Sequence, residues 1–127
     1  MLDNVDAALE SAISSHEAGD LILAGEKYLE ILKVDPGHPD ANHNFGLLTV
    51  KLGEPAMGIQ FFKTAIESNP TISEYWVSCI KTLIEIKDID NAQIALEKAK
   101  EVGHVDEVFD KLASNLLLVK KESAEEK

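Results

Sequence analysis

Pro36 and Pro70 stand 34 residues apart, and sliding the chain by that interval brings like residues onto like. Ala24, Gly58 and Ala92 superimpose, as do Tyr28, Phe62 and Leu96; Ile31, Ala65 and Ala99; and Ala12, Gly46 and Ile80, while Gly19 meets Gly53. A fixed period of this size constrains the fold strongly. Each unit must be one supersecondary structure that buries its apolar face against the next.

Within each unit two amphipathic stretches flank a polar break, at AGDL, LGEP and IKDI. That pattern predicts a helix, a tight turn and a second helix. Gly19 and Gly53 can take the positive φ that ends a first helix. Lys87 stands there in the third unit, so its turn is expected either to differ or to cost about 1 kcal/mol in a left-handed backbone. Ala24, Gly58 and Ala92 lack the bulk that would keep two crossing helices apart, and Tyr28, Phe62 and Leu96 fill the space beside them. The units fall at about 5–38, 39–72 and 73–106. In VGHVDEVFDKLASNLLLV, Val105, Val108, Phe109, Leu112, Leu116 and Val119 recur at spacings of three and four, which predicts a capping helix at about 105–120. These elements form one domain over residues 1–120, followed by a polar tail or linker at 121–127.

The 34-residue pattern resembles the tetratricopeptide repeat family. The match is strongest from HPDANHNFGLL through FFKTAIESNP, where Phe45, Gly46, Gly53, Gly58, Phe62, Ala65 and Pro70 fall at family positions. Trp76 sits where the family places a large aromatic residue in the first helix; Ala8 and Asn42 replace it in the earlier units, and His104 replaces the closing proline of the third. The resemblance implies an all-α fold, a right-handed superhelix of antiparallel helical hairpins with three units and a C-terminal cap. The dense wording of HPDANHNFGLL and NPTISEYWVSCIKTLIE is also similar to bacterial repeats found ahead of glycosyl-, sulfo- or methyltransferase domains.

Charge and composition narrow the function. A net charge of −11, from 23 acidic against 12 basic residues, repels a phosphate backbone, so nucleic acid is not an expected partner. No stretch approaches the roughly 20 apolar residues of a membrane span, and the N-terminus lacks a basic flank before an apolar run; no membrane contact and a cytoplasmic location are expected. The single cysteine, Cys79, lies in an apolar run and reads as a buried thiol.

The stretch KVDPGHPDANHNFGLL concentrates prolines, histidines and aspartates, but punctuation explains most of it. Pro36 and Pro39 end one helix and start the next, Asp40 lies in a first turn where an acid suits the helix dipole, and Gly37 permits the bend. His38, Asp40 and His43 lack a thiolate or a clear fourth ligand, so no metal is expected. HEAGD at His16 begins like a zinc-protease motif, but Asp20 stands where its second histidine belongs. No nucleophile elbow or phosphate loop occurs, so neither catalysis nor a cofactor is expected.

The informative surface is the concave one, which the resemblance assigns mainly to the first helix of each unit. Its candidate residues are Leu9 and Ile13, then Asp40, His43, Asn44, Leu47 and Lys51, then Val77, Ser78 and Lys81, with Asp6, Glu74 and Glu85 alongside. Asn44 stands where domains similar to those of O-linked sugar transferases use an asparagine to hold a peptide backbone. The alternative is that its amide is satisfied within the chain. Glu10 and Ser78 occupy the equivalent positions, so a continuous asparagine ladder is missing. With only Lys51 and Lys81 among several acids, a carboxylate clamp of the chaperone-binding branch is disfavoured. The expected function is a noncatalytic module that holds a protein or peptide segment, apolar and basic in character, in its groove. The alternatives are a self-associating scaffold, in which Leu117 and Leu118 meet a second copy, or the accessory part of a transferase.

Overall fold

The computed structural model describes residues 4–125 and contains seven α-helices over them, with no strand. These are α1 (Val5–Glu17), α2 (Leu21–Val34), α3 (Pro39–Lys51), α4 (Pro55–Ser68), α5 (Ser73–Glu85), α6 (Ile89–Val102) and α7 (Glu107–Glu125). The odd helices begin at Val5, Pro39, Ser73 and Glu107, and the even ones at Leu21, Pro55 and Ile89, so the 34-residue period governs element boundaries as well as residue types.

The chain forms two compact units. The first holds α1–α4 and ends at Asn69; the second holds α5–α7 and begins at Pro70. In the first unit α1–α2 and α3–α4 are hairpins, and α3 lies against both α1 and α2. In the second, α5–α6 is a hairpin and α7 lies against both of its helices.

The same turn closes every hairpin. At Gly19 (φ 86) the Asp20 N–H donates to the Ser15 carbonyl at 2.9 Å and the Gly19 N–H to that of His16 at 3.1 Å. Gly53 (φ 88) repeats this, with Glu54 donating to Thr49 and Gly53 to Val50. Lys87 does so as well, at φ 62, with Asp88 donating to Leu83 at 2.9 Å and Lys87 to Ile84 at 3.0 Å. Of the two outcomes expected for the third unit, the left-handed residue occurs and the different turn does not: the paired bonds to the last helical carbonyls hold Lys87 in the left-handed region. Gly37, by contrast, is not among the positive-φ glycines, and its bend needs no left-handed residue.

Caps explain the helix starts. Asn4 and Asp20 accept from the N–H groups of Ala7 and Leu23, and His38 Nδ1 accepts from Ala41 at 3.1 Å. Pro39 and Pro55 occupy first helical positions, where their missing N–H costs nothing.

The core of the first unit gathers Ala12, Ala24, Tyr28, Phe45 and Leu48, with Leu9, Ile13 and Phe61 packed against it. Burial pushes the Tyr28 phenol up to about 12, with the charge of Glu17 adding to the shift; its oxygen lies 3.1 Å from His16 Nδ1. Helices α3 and α4 cross at Gly46 and Gly58. A Cβ on Gly58 would stand 2.8 Å from the Gly46 carbonyl oxygen, and one on Gly46 2.5 Å from Phe62 Cε1. The small-residue crossing read from the repeat is thus a backbone contact with no room for a side chain.

In the second unit Tyr75, Trp76, Cys79, Ile80 and Leu83 of α5, Ala92 and Ala99 of α6, and Phe109, Leu112 and Leu116 of α7 are buried. Val105 and Val108, expected on the covered face of the cap, are 64% and 49% exposed, because Val105 precedes the helix and Val108 lies to one side of the 109–112–116 stripe. The expected polar tail is helical through Glu125, and its last two residues lie outside those described. Lysine and glutamate are good helix formers, and Lys120 ties this end of α7 to α6 through a 2.7 Å bond from its Nζ to Gln93 Oε1.

Candidate functional site

The candidate residues lie on the first helix of each hairpin. On α3, Asp40, Asn44, Leu47 and Lys51 follow one another at spacings of four, three and four, which puts them on one face, with His43 beside them. Leu47 is 38% exposed, Lys51 is exposed and Asn44 is half-buried. The adjoining face carries Ala41, Phe45 and Leu48 into the core. A helix with this division must present the first set outward.

Asn44 already uses its donor: Nδ2 gives a 2.8 Å bond to the Asp40 carbonyl one turn earlier. That bond takes one of its two amide hydrogens, so it can offer a ligand its Oδ1 acceptor and the second N–H. The His43 ring stands 5.7 Å from that of Phe62, which fixes its plane against α4. Leu9 and Ile13 on α1 are half-buried against the core cluster, which leaves Leu47 as the exposed apolar residue among the candidates.

Lys51 reaches toward the C-terminal end of α1. The His16 imidazole is lowered from its ordinary 6.5 by burial first and by the Lys51 charge second, with Glu17 opposing. His16 thus reads as a partner of Tyr28 at a helix end. In the second unit, Val77 and Ser78 on α5 are half-buried and Lys81 is exposed, on the face of α5 that matches the α3 stripe residue for residue at the 34-residue interval.

Two features were missed by sequence reasoning. Asn42, read as a departure from the aromatic position, donates from Nδ2 to the Pro36 carbonyl at 2.9 Å; Trp76, 34 residues later, donates from Nε1 to the Pro70 carbonyl at 2.8 Å. Different side chains make the same bond to the carbonyl of the preceding proline. His104, where a closing proline was missing, brings Nε2 within 3.0 Å of the same Pro70 carbonyl and stacks on Phe109 at 5.4 Å. For Asn42 and Trp76 the sequence held a signal, a nitrogen-bearing side chain six residues after a proline in both units; His104 had none beyond its replacing the proline.

As for metal and membrane chemistry, among the described residues no group of three or more His, Cys, Asp or Glu is placed to hold an ion, and no helix is long and apolar enough to cross a membrane. His38, one of the three residues weighed as ligands, is engaged as a helix cap.

The sequence matches no protein-family model and no curated protein. Solved structures do resemble it. A tetratricopeptide repeat protein from Parabacteroides merdae superimposes with a TM-score of 0.84 at 18% identity, over 94% of this chain and 46% of that one. The Yersinia enterocolitica type III secretion chaperone SycD, in complex with a peptide of the translocator YopD, gives 0.79 at 13% identity, over 97% of both chains. The first tetratricopeptide domain of Spaghetti, bound to an HSP90 peptide, gives 0.77 at 14% identity, over 94% of this chain and 93% of that one. The period in the sequence, the paired helices and these superpositions agree: this chain has the tetratricopeptide-repeat fold.

Proposed function

We propose that the chain is a noncatalytic module that binds a peptide or protein segment along the outward faces of its first helices. The observation that carries this reading is the α3 stripe, where Asn44, Leu47 and Lys51 offer an acceptor, an apolar contact and a cation at helical spacing. The peptide complexes of structural neighbours support it. The net charge of −11 favours a segment that is apolar and basic over an acidic one. Rigid presentation of side chains is the mechanism, with no bond made or broken.

The likeness of its repeats to those preceding transferase domains extends the reading to an accessory module that brings a protein substrate to an enzyme. A cytoplasmic setting fits its one buried thiol. Affinity capture from source-cell lysate with the wild-type chain and with Asn44→Ala/Lys81→Glu tests these faces. The expected result is a protein retained by the first and lost by the second. Recovery of the same proteins by both forms would rule out these faces as the binding surface.

A further inference from the structure

α7 begins at Glu107, 34 residues after α5, and so occupies the place of a fourth first helix. Helix α3 has two covered faces. One packs on the preceding hairpin, where Leu48 is buried beside Gly25 of α2, and Phe109, Leu112 and Leu116 of α7 do this for α5 and α6. The other face packs on the helix's own hairpin partner. In α5 that face is Trp76, Cys79, Ile80, Leu83 and Ile84, all buried. The same positions of α7 are Asp110, Ala113, Ser114, Leu117 and Leu118, all exposed, with Leu117 at 67% and Leu118 at 59%.

Beside this face lies an open cleft of about 430 Å³ between α6 and α7, lined by Leu96, Glu97 and Lys100 on one side and by Val105, Asp110 and Ala113 on the other. Ala113 and Ser114 present little bulk, at the register where Gly46 lets α4 approach α3.

Charge sets the occupant. Asp106, Glu107 and Asp110 crowd the start of α7, and with Glu97 they outnumber Lys100 at that end of the cleft; toward the other end Lys120, held by Gln93, and Lys121 offset Glu122 and Glu125, so the acidic excess lies at the start. A helix running antiparallel to α7, as α6 runs against α5, would set its last turn against the acids and its first turn against the lysines. Lysines in a last turn and acids in a first also suit that helix's own dipole. A second copy of this chain, at −11, meets the face with like charge.

We infer that the open face of α7, with the α6–α7 cleft, receives an amphipathic helix of a partner protein, antiparallel to α7, with small residues at the crossing and lysine or arginine in its last turn. The helix completes a hairpin that α7 begins. The site uses no residue of the α3 stripe.

The test uses the whole chain and two fluorescent, hydrocarbon-stapled helices of about four turns, alike in their apolar face. One carries glutamates in the first turn and lysines in the last; the other has the charges exchanged. Fluorescence anisotropy should show the first binding about tenfold more tightly or better. Leu117→Glu should weaken it by a similar factor, and Asp110→Lys should narrow the difference between the two helices. Leu47→Asp, on the α3 stripe, should leave this binding unchanged, so failure here and failure of the groove reading are distinguishable. Equal affinity for both helices, or indifference to Leu117→Glu, would overturn the inference. Sedimentation of the chain alone as a dimer that Leu117→Glu dissociates would also overturn it, in favour of a second copy on this face.

Discussion

The α3–α4 and α5–α6 hairpins have the same period and the same turn but opposite ways of filling their crossing. In α3–α4, Gly46 faces Gly58 so closely that no Cβ fits, and Phe62 closes over Gly46. In α5–α6 the same positions hold Ile80 and Ala92, both fully buried, with the half-buried Leu96 in place of Phe62. One hairpin is held by backbone approach under an aromatic lid, the other by an aliphatic side chain that occupies the crossing itself. A repeat register therefore fixes where two helices meet, while the volume shared across the pair decides how close they come.

The largest expected effect breaks the second solution. Ile80→Ala leaves a void that neighbouring helices cannot fill, and urea unfolding followed by circular dichroism should show a loss of about 2–5 kcal/mol. Next comes the first solution: Gly58→Ala forces a methyl against the Gly46 carbonyl and Val50, and the same measurement should show a loss of about 1–3 kcal/mol, even though alanine is the better helix former. If Gly58→Ala stabilised the chain, the close crossing would be wrong.

The turns give a smaller effect of opposite sign. Gly53 and Lys87 share one geometry, with Lys87 strained at φ 62, so Lys87→Gly should stabilise by about 1 kcal/mol, less whatever entropy glycine adds to the unfolded chain. No gain in melting temperature would mean the lysine sits there without strain.

The smallest effect extends the comparison to the α1–α2 hairpin. His16 has a folded-state pKa below 6.5, because burial and Lys51 disfavour its cation. The unfolded chain then binds the proton more readily, so the contribution of His16 is fully present above that pH and is lost as pH falls through it. Melting curves between about pH 7.5 and 5.5 should slope downward toward acid, and His16→Gln should flatten that slope.

Much of this architecture was legible in the sequence because the repeat carries it in residue types. Pro36, Pro70 and the matched Gly–Gly–Lys turn positions marked the helix boundaries, and the alternation of Ala24, Gly58 and Ala92 with Tyr28, Phe62 and Leu96 marked the crossings. What was not legible depended on contacts rather than types. Lys87 hid a left-handed turn because glycine was absent, although the bonding frame alone enforces it. Asn42 looked like a gap in the aromatic pattern because its role is a hydrogen bond, invisible to a volume argument. In the site, the outward stripe of α3 followed from helical spacing, but the bond that takes one Asn44 amide hydrogen required coordinates.

The claim that segments are recognised along the first helices rests on the α3 face, and Leu47 is its exposed apolar contact. The direct measurement is the Kd of a peptide selected from a random library on the Leu117→Glu chain, so that the α7 face is closed to it, determined by calorimetry against the wild-type chain, Leu47→Asp and Leu117→Glu. The account predicts weakening of about tenfold or more with Leu47→Asp and unchanged affinity with Leu117→Glu. Affinity that survives Leu47→Asp would contradict it.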